Sequence, residues 1–145
     1  MLGGLFVTPT VTAIVEALTS ARAEGPIAVV GHARIAAALA ELREVTPVGL
    51  PPRAAKKLAG SVSDAKDIPE GSLAAVVGIR VTNDAAWAQT LKTWARAVRD
   101  GGAIVFVDRG HAPEASRRAL CAGLSELEQR RAGRAVITSG LVTHL

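Results

Sequence analysis

At 145 residues, with 49% hydrophobic and 21% charged side chains, the chain is long enough for one buried core and too apolar to be disordered. Tyr is absent and there are only two Phe and two Trp, which argues against a stacked-aromatic surface for single-stranded nucleic acid. The single cysteine, Cys121, excludes an internal disulfide framework and a cysteine-based zinc site.

The net charge of +4 is modest and the 17 Lys and Arg are mostly dispersed. One local excess, Arg117, Arg118, Arg130, Arg131 and Arg134, can attract phosphates. Interleaved Glu114, Glu126 and Glu128 read it instead as a solvated helix face, so nucleic acid is not the expected partner. His32, His111 and His144 lack metal-ligand spacing. Met1 to Val7 has no basic leader, and no apolar run approaches the roughly 18 residues of a membrane span. A soluble, cytoplasmic protein is expected.

Thr8 is a candidate N-cap with Pro9 at the first helical position, and Val11, Ile14, Val15 and Leu18 share one face of a helix to about Ala23. Ile27 to Val30 reads as a buried strand stopped by Gly31. Ile35 to Leu42 returns to helix, and Val45 to Leu50 is a second strand closed by Pro51-Pro52. A short helix over Arg53 to Ala59 and a minimal strand over Ser61 to Ser63 follow. Leu73 to Ile79 is the clearest central strand.

Asn83 or Asp84 can cap the next helix, which runs to about Arg99 with Trp87, Leu91, Trp94 and Val98 on one face. Asp100-Gly101-Gly102 ends it, and Ala103 to Val107 is another apolar strand. Pro113 to about Leu127 reads as helix. Ala135 to Thr138 and Leu141 to His144 read as two strands across Ser139-Gly140. Strands alternating with helices predict an α/β domain: a Rossmann-like, mostly parallel sheet with helices on both faces and an antiparallel C-terminal strand pair. One domain is expected, with an N-terminal helix over 1–25 and the core over 26–145.

The second half carries an ordered set of features. Asp64 to Leu73 leads into the strand ending at Ile79; the Trp-bearing helix, Arg99-Asp100-Gly101-Gly102, the strand Ala103 to Asp108, a helix and a strand pair follow. This resembles the class I S-adenosylmethionine-dependent methyltransferases over roughly Pro26 to Leu145, most specifically over Ser63 to Asp108. The resemblance implies strand order 3-2-1-4-5-7-6 with strand 7 antiparallel.

The sequence departs from that family where the cofactor would sit. The family's Gly-rich loop lets the backbone approach the cofactor closely. Here Val30-Gly31 runs straight into His32-Ala33-Arg34, a loop shorter by about two residues than the family's. His32 and Arg34 put bulk and charge where space is needed. The family's ribose-binding carboxylate is replaced by Gly49-Leu50-Pro51. Asp64 remains, at the place that often meets the adenine amine. The shortness of the chain thus falls on its cofactor half.

Gly31, His32 and Asp64 are therefore the candidate cofactor contacts; His32 equally suits a helix cap, and Asp64 the turn before Pro69. Arg80, Thr82, Asn83 and Asp84 leave the fourth-strand tip, where the family's substrate and catalytic groups lie, and Asn83 and Asp84 are the catalytic candidates. Asp108 with His111 can form an acid–base pair or a solvated turn. Cys121 reads as a buried small hydrophobe. Trp87 and Trp94 read as core residues, and their spacing also suits a helix-mediated dimer contact.

Two main functions follow, beside a third reading as a small nucleotide- or nucleic-acid-binding module using the C-terminal arginines. One is a degenerate methyltransferase-fold domain that has lost S-adenosylmethionine, needs no cofactor and acts through a protein partner or self-association. The other is an active methyltransferase that binds S-adenosylmethionine in an atypical pocket.

Overall fold

The computed structural model describes residues 2–79, 87–109, 117, 119–120 and 123–144. The catalytic candidates Asn83 and Asp84, with Arg80, Thr82, His111 and Cys121, lie outside the described residues. Among those described, the elements are α1 (Leu2–Ser20), β1 (Ile27–Val30), α2 (Ala33–Ala40), β2 (Val45–Val48), α3 (Pro52–Ala55), a 3₁₀ turn (Ala65–Asp67), β3 (Leu73–Ile79), α4 (Trp87–Ala97), β4 (Val98–Arg109), β5 (Ser125–Ala132) and β6 (Ala135–Leu141). No described helix is long and apolar enough to cross a membrane.

The six strands form one sheet in the order β2-β1-β3-β4-β6-β5. β2, β1, β3 and β4 run parallel, and β6 is antiparallel to both β4 and β5. The expected third strand is reduced to a single parallel bridge from Val62 to Val48, the last residue of β2, on the side away from β1. With that bridge counted, the order matches the expected 3-2-1-4-5-7-6. The fold is the predicted Rossmann-like sheet with an antiparallel C-terminal pair.

The central strands are buried on both faces, which is why they read as unbroken apolar runs. One face packs Ile27, Val29, Val77 and Val105 with Ile14 and Leu18 of α1 and Ile35 and Leu39 of α2. The other packs Val76, Ile104 and Phe106 with Leu91 and Trp94 of α4.

Four expectations are corrected. α1 begins at Leu2, with Pro9 inside it, so Thr8 is not its N-cap. Proline's fixed φ is helical, and the chain continues through it at the loss of one backbone hydrogen bond. α4 ends at Ala97, before Asp100-Gly101-Gly102. That segment belongs to β4, where Gly101 N–H donates to Val142 O and Val142 N–H to Gly102 O, both at 2.8 Å.

The helix expected to Leu127 stops earlier, at a Schellman cap. Leu124 N–H donates to Ala119 O and Gly123 N–H to Leu120 O, with Gly123 at φ +86°. Finally, Ser139-Gly140 is no turn. Both lie inside β6, where a Cβ on Gly140 would come within 2.7 Å of Leu127 and 2.8 Å of Leu124. The hairpin turns instead at Gly133-Arg134, with Gly133 at φ +61°. Arg130, Arg131 and Glu128 therefore lie on an edge strand, not on a helix face.

Candidate functional site

Parallel α/β sheets place ligands beyond the carboxyl ends of their strands. At that end of β1 and β2 lies a groove of about 340 Å³, lined by Val30, Val48, Gly49, Asp64, Thr90 and Trp94 among others. Its size is at the lower end of the range for small-molecule clefts.

Local sequence sets the turn beside it. β1 passes through Gly31 and His32 directly into α2. Gly31 takes φ +87°, a left-handed value natural to glycine, and its N–H donates to Val48 O at 3.2 Å. His32 is the N-cap of α2: its Nδ1 accepts the Ile35 N–H at 3.2 Å, and its carbonyl accepts the Ala36 N–H. The half-buried His32 and the exposed Arg34 do not line the groove. The bulk expected from these two side chains therefore falls outside it.

One wall is the segment after the Val62 bridge. Asp64 caps the 3₁₀ turn, its Oδ1 accepting the Lys66 N–H at 2.9 Å. It is the one carboxylate among the described residues lining the groove. At the end of β2, Gly49 turns at φ +68° and donates its N–H to Val62 O. Leu50 and Pro51 follow it, so no acidic side chain stands there.

Another wall is α4. Its apolar stripe buries Leu91 and Trp94, and Gln89, Thr90 and Thr93 line the groove. The Thr93 hydroxyl donates to Gln89 O at 3.1 Å. Sequence reasoning misses these polar residues, although the helical phase set by Leu91 and Trp94 carries them. Trp94 is 2% exposed and belongs to the core, which removes it from the expected helix-face dimer contact.

Of the three candidate cofactor contacts, Asp64 lines the groove, while Gly31 and His32 form the β1–α2 turn beside it. Asp108 lies at the carboxyl end of β4, opposite Val136. The groove holds hydroxyls, amide groups and one capping carboxylate. Among its described residues no nucleophile stands paired with a base. No group of three His, Cys, Asp or Glu side chains among the described residues is placed to hold a metal ion.

No protein-family model and no curated protein sequence matches the chain. Solved structures do. An O-methyltransferase family protein from Burkholderia thailandensis superimposes with TM-score 0.72 at 16% identity, over 95% of this chain and 56% of its own. A chain of the complex between the Haloferax volcanii Trm112 methyltransferase activator and a methyltransferase gives 0.68 at 14% identity, over 83% of both. Human N-acetylserotonin methyltransferase in complex with S-adenosylmethionine gives 0.67 at 13% identity, over 89% of this chain and 51% of its own. The chain spans about half the length of the first and last of these. Strand order, the antiparallel last strand and these superpositions agree: the chain has the fold of the class I S-adenosylmethionine-dependent methyltransferases.

Proposed function

We propose that this chain is a methyltransferase-fold domain that does not bind S-adenosylmethionine and works by contact with another protein. The observation that carries this is the two-residue passage from β1 to α2, closed by the His32 cap. A cofactor laid over this turn needs backbone N–H groups and open space. Here a side chain already takes the Ile35 N–H. The end of β2 offers no carboxylate for ribose hydroxyls, and each buried hydroxyl left without its partner costs about 1–3 kcal/mol. These residues do not match what the cofactor needs, so no methyl-transfer step is assigned to them. The similar fold found in a complex with a methyltransferase activator lends support to a protein partner. A cytoplasmic setting fits the lone Cys121.

One observation favours a second reading, an active methyltransferase. The groove beside Asp64 is open, and human N-acetylserotonin methyltransferase, of similar fold, was solved with S-adenosylmethionine. Calorimetric titration with S-adenosylmethionine and S-adenosylhomocysteine separates the two. The first reading expects no heat at millimolar ligand in a folded sample. Micromolar binding of either compound overturns it.

A further inference from the structure

β5 closes one end of the sheet and, among the described residues, pairs only with β6. Its sequence is Ser-Glu-Leu-Glu-Gln-Arg-Arg-Ala, and Glu126, Glu128, Gln129 and Arg131 are exposed. Acidic residues occupy its first half and basic residues its second. Charges on an edge strand normally keep other strands away. A strand whose sign reverses midway instead attracts an antiparallel copy of itself.

The backbone pattern sets the register. Ala132 and Ala135 flank the two-residue turn Gly133-Arg134, so they exchange both backbone hydrogen bonds. The antiparallel alternation then turns the backbone groups of Arg130 and Glu128 toward β6, and those of Gln129 and Arg131 outward. Two identical antiparallel edges pair about a twofold axis perpendicular to the sheet, which keeps the two faces aligned. Residues directly opposite must then lie on the same face, so their numbers sum to an even value.

Among such registers, an axis at Gln129 places Glu128 opposite Arg130 twice. An axis at Glu128 or at Arg130 sets like charges face to face. The axis at Gln129 also uses outward-facing backbone groups and sets Leu127 against the aliphatic stem of Arg131. The bulge between Ser125 and Glu128, where Glu126 takes φ +50°, lies at the end of the paired stretch.

We propose that β5 pairs with β5 of a second copy of this chain about a twofold axis at Gln129, joining two sheets into one. This names the partner within the protein-contact reading above and rests on that reading for its role. Within one chain Glu128 accepts from the Ser20 hydroxyl at 2.9 Å and pairs with Arg130 at 3.2 Å, while Arg130 lies 3.8 Å from Glu16. These contacts are partly exposed and contribute little to folding, so both side chains are available to re-pair across the axis.

The test is sedimentation velocity over a concentration series at low salt, with circular dichroism to confirm folding. The wild type is expected to form a dimer that weakens as salt rises. Glu128→Arg and Arg130→Glu are each expected to weaken it by about tenfold or more, because each sets like charges opposite. An equimolar mixture of the two variants is expected to restore the dimer, because every contact between positions 128 and 130 then joins opposite charges. A wild type that stays monomeric, a dimer indifferent to either reversal, or a mixture that stays monomeric overturns the pairing. Cofactor titration is independent: a monomer that binds no S-adenosylmethionine overturns this pairing and leaves the cofactor reading standing.

Discussion

The Nδ1 atom of His32 accepts the backbone N–H of Ile35 at 3.2 Å, tying the end of β1 to the first turn of α2. A capping side chain satisfies one of the helix's orphan donors. His32→Ala is therefore expected to lower stability by about 1 kcal/mol, and His32→Asn or His32→Ser to recover most of it. Urea unfolding of the three variants measures this. A His32→Ala variant as stable as wild type would show that the cap contributes nothing.

Asp64, on the groove wall, is also a cap, and its Oδ1 accepts the Lys66 N–H at 2.9 Å. An amide oxygen can accept the same bond without a charge. Asp64→Asn is expected to hold stability near wild type, while Asp64→Ala loses about 1 kcal/mol. Thermal unfolding separates the two. A loss as large for Asp64→Asn as for Asp64→Ala would mean that the charge matters beyond the cap.

The central sheet is legible in the sequence because β1, β3 and the body of β4 are buried on both faces, with no polar interruption from Ile27 to Val30, Leu73 to Ile79 or Ala103 to Val107. The last quarter misleads for a physical reason. β5 is an edge strand, and its alternating exposure is blurred by the bulge at Glu126. Its Glu and Arg residues then look like a solvated helix. Gly123 carries the overlooked signal, since a glycine there ends the helix in a left-handed turn. Of the three candidate cofactor contacts only Asp64 lines the groove; Gly31 and His32 are legible as the end of β1 and the cap of α2, in the turn beside it. Thr90 and Thr93 are not, because only the packed phase of α4 tells which polar residues face the groove.

The two glycines after α4 differ in what they tolerate. A Cβ at Gly102 would lie 2.4 Å from Val98 Cγ1 and 2.6 Å from the Ala74 carbonyl oxygen, a backbone atom held in β3. Gly101 has open space but sits at φ +80°. Gly102→Ala is expected to cost about 3 kcal/mol through overpacking, and Gly101→Ala about 1 kcal/mol through left-handed strain. Chemical denaturation of both variants gives the order. Equal losses would mean that β4 shifts to accept the extra methyl group.

Trp94 tests the core against the surface. Buried at 2% exposure in one cluster with Leu91 and Phe106, it should cost about 3–5 kcal/mol when cut to alanine, and much less as Trp94→Phe. Thermal unfolding reads the loss, and sedimentation of the folded Trp94→Phe variant reads any change in self-association. A dimer weakened by Trp94→Phe would restore the helix-face contact that burial of this ring argues against.

The connection from α1 to β1 is held by two arginines, Arg43 from the turn between α2 and β2 and Arg99 from β4. Arg43 donates to the carbonyls of Ala23 and Gly25, and Arg99 donates to that of Glu24 at 2.7 Å. Burial lowers the pKa of Arg43; Glu24 opposes this and Arg99 adds to it. Arg43→Ala leaves two carbonyls without their donor and is expected to cost about 1.5–3 kcal/mol. The more exposed Arg99 should cost less than Arg43 when replaced by alanine. Because both side chains brace the same short turn, their losses should not add, and a double-mutant cycle by urea unfolding measures the coupling. Strict additivity would show that the two arginines act on the turn independently.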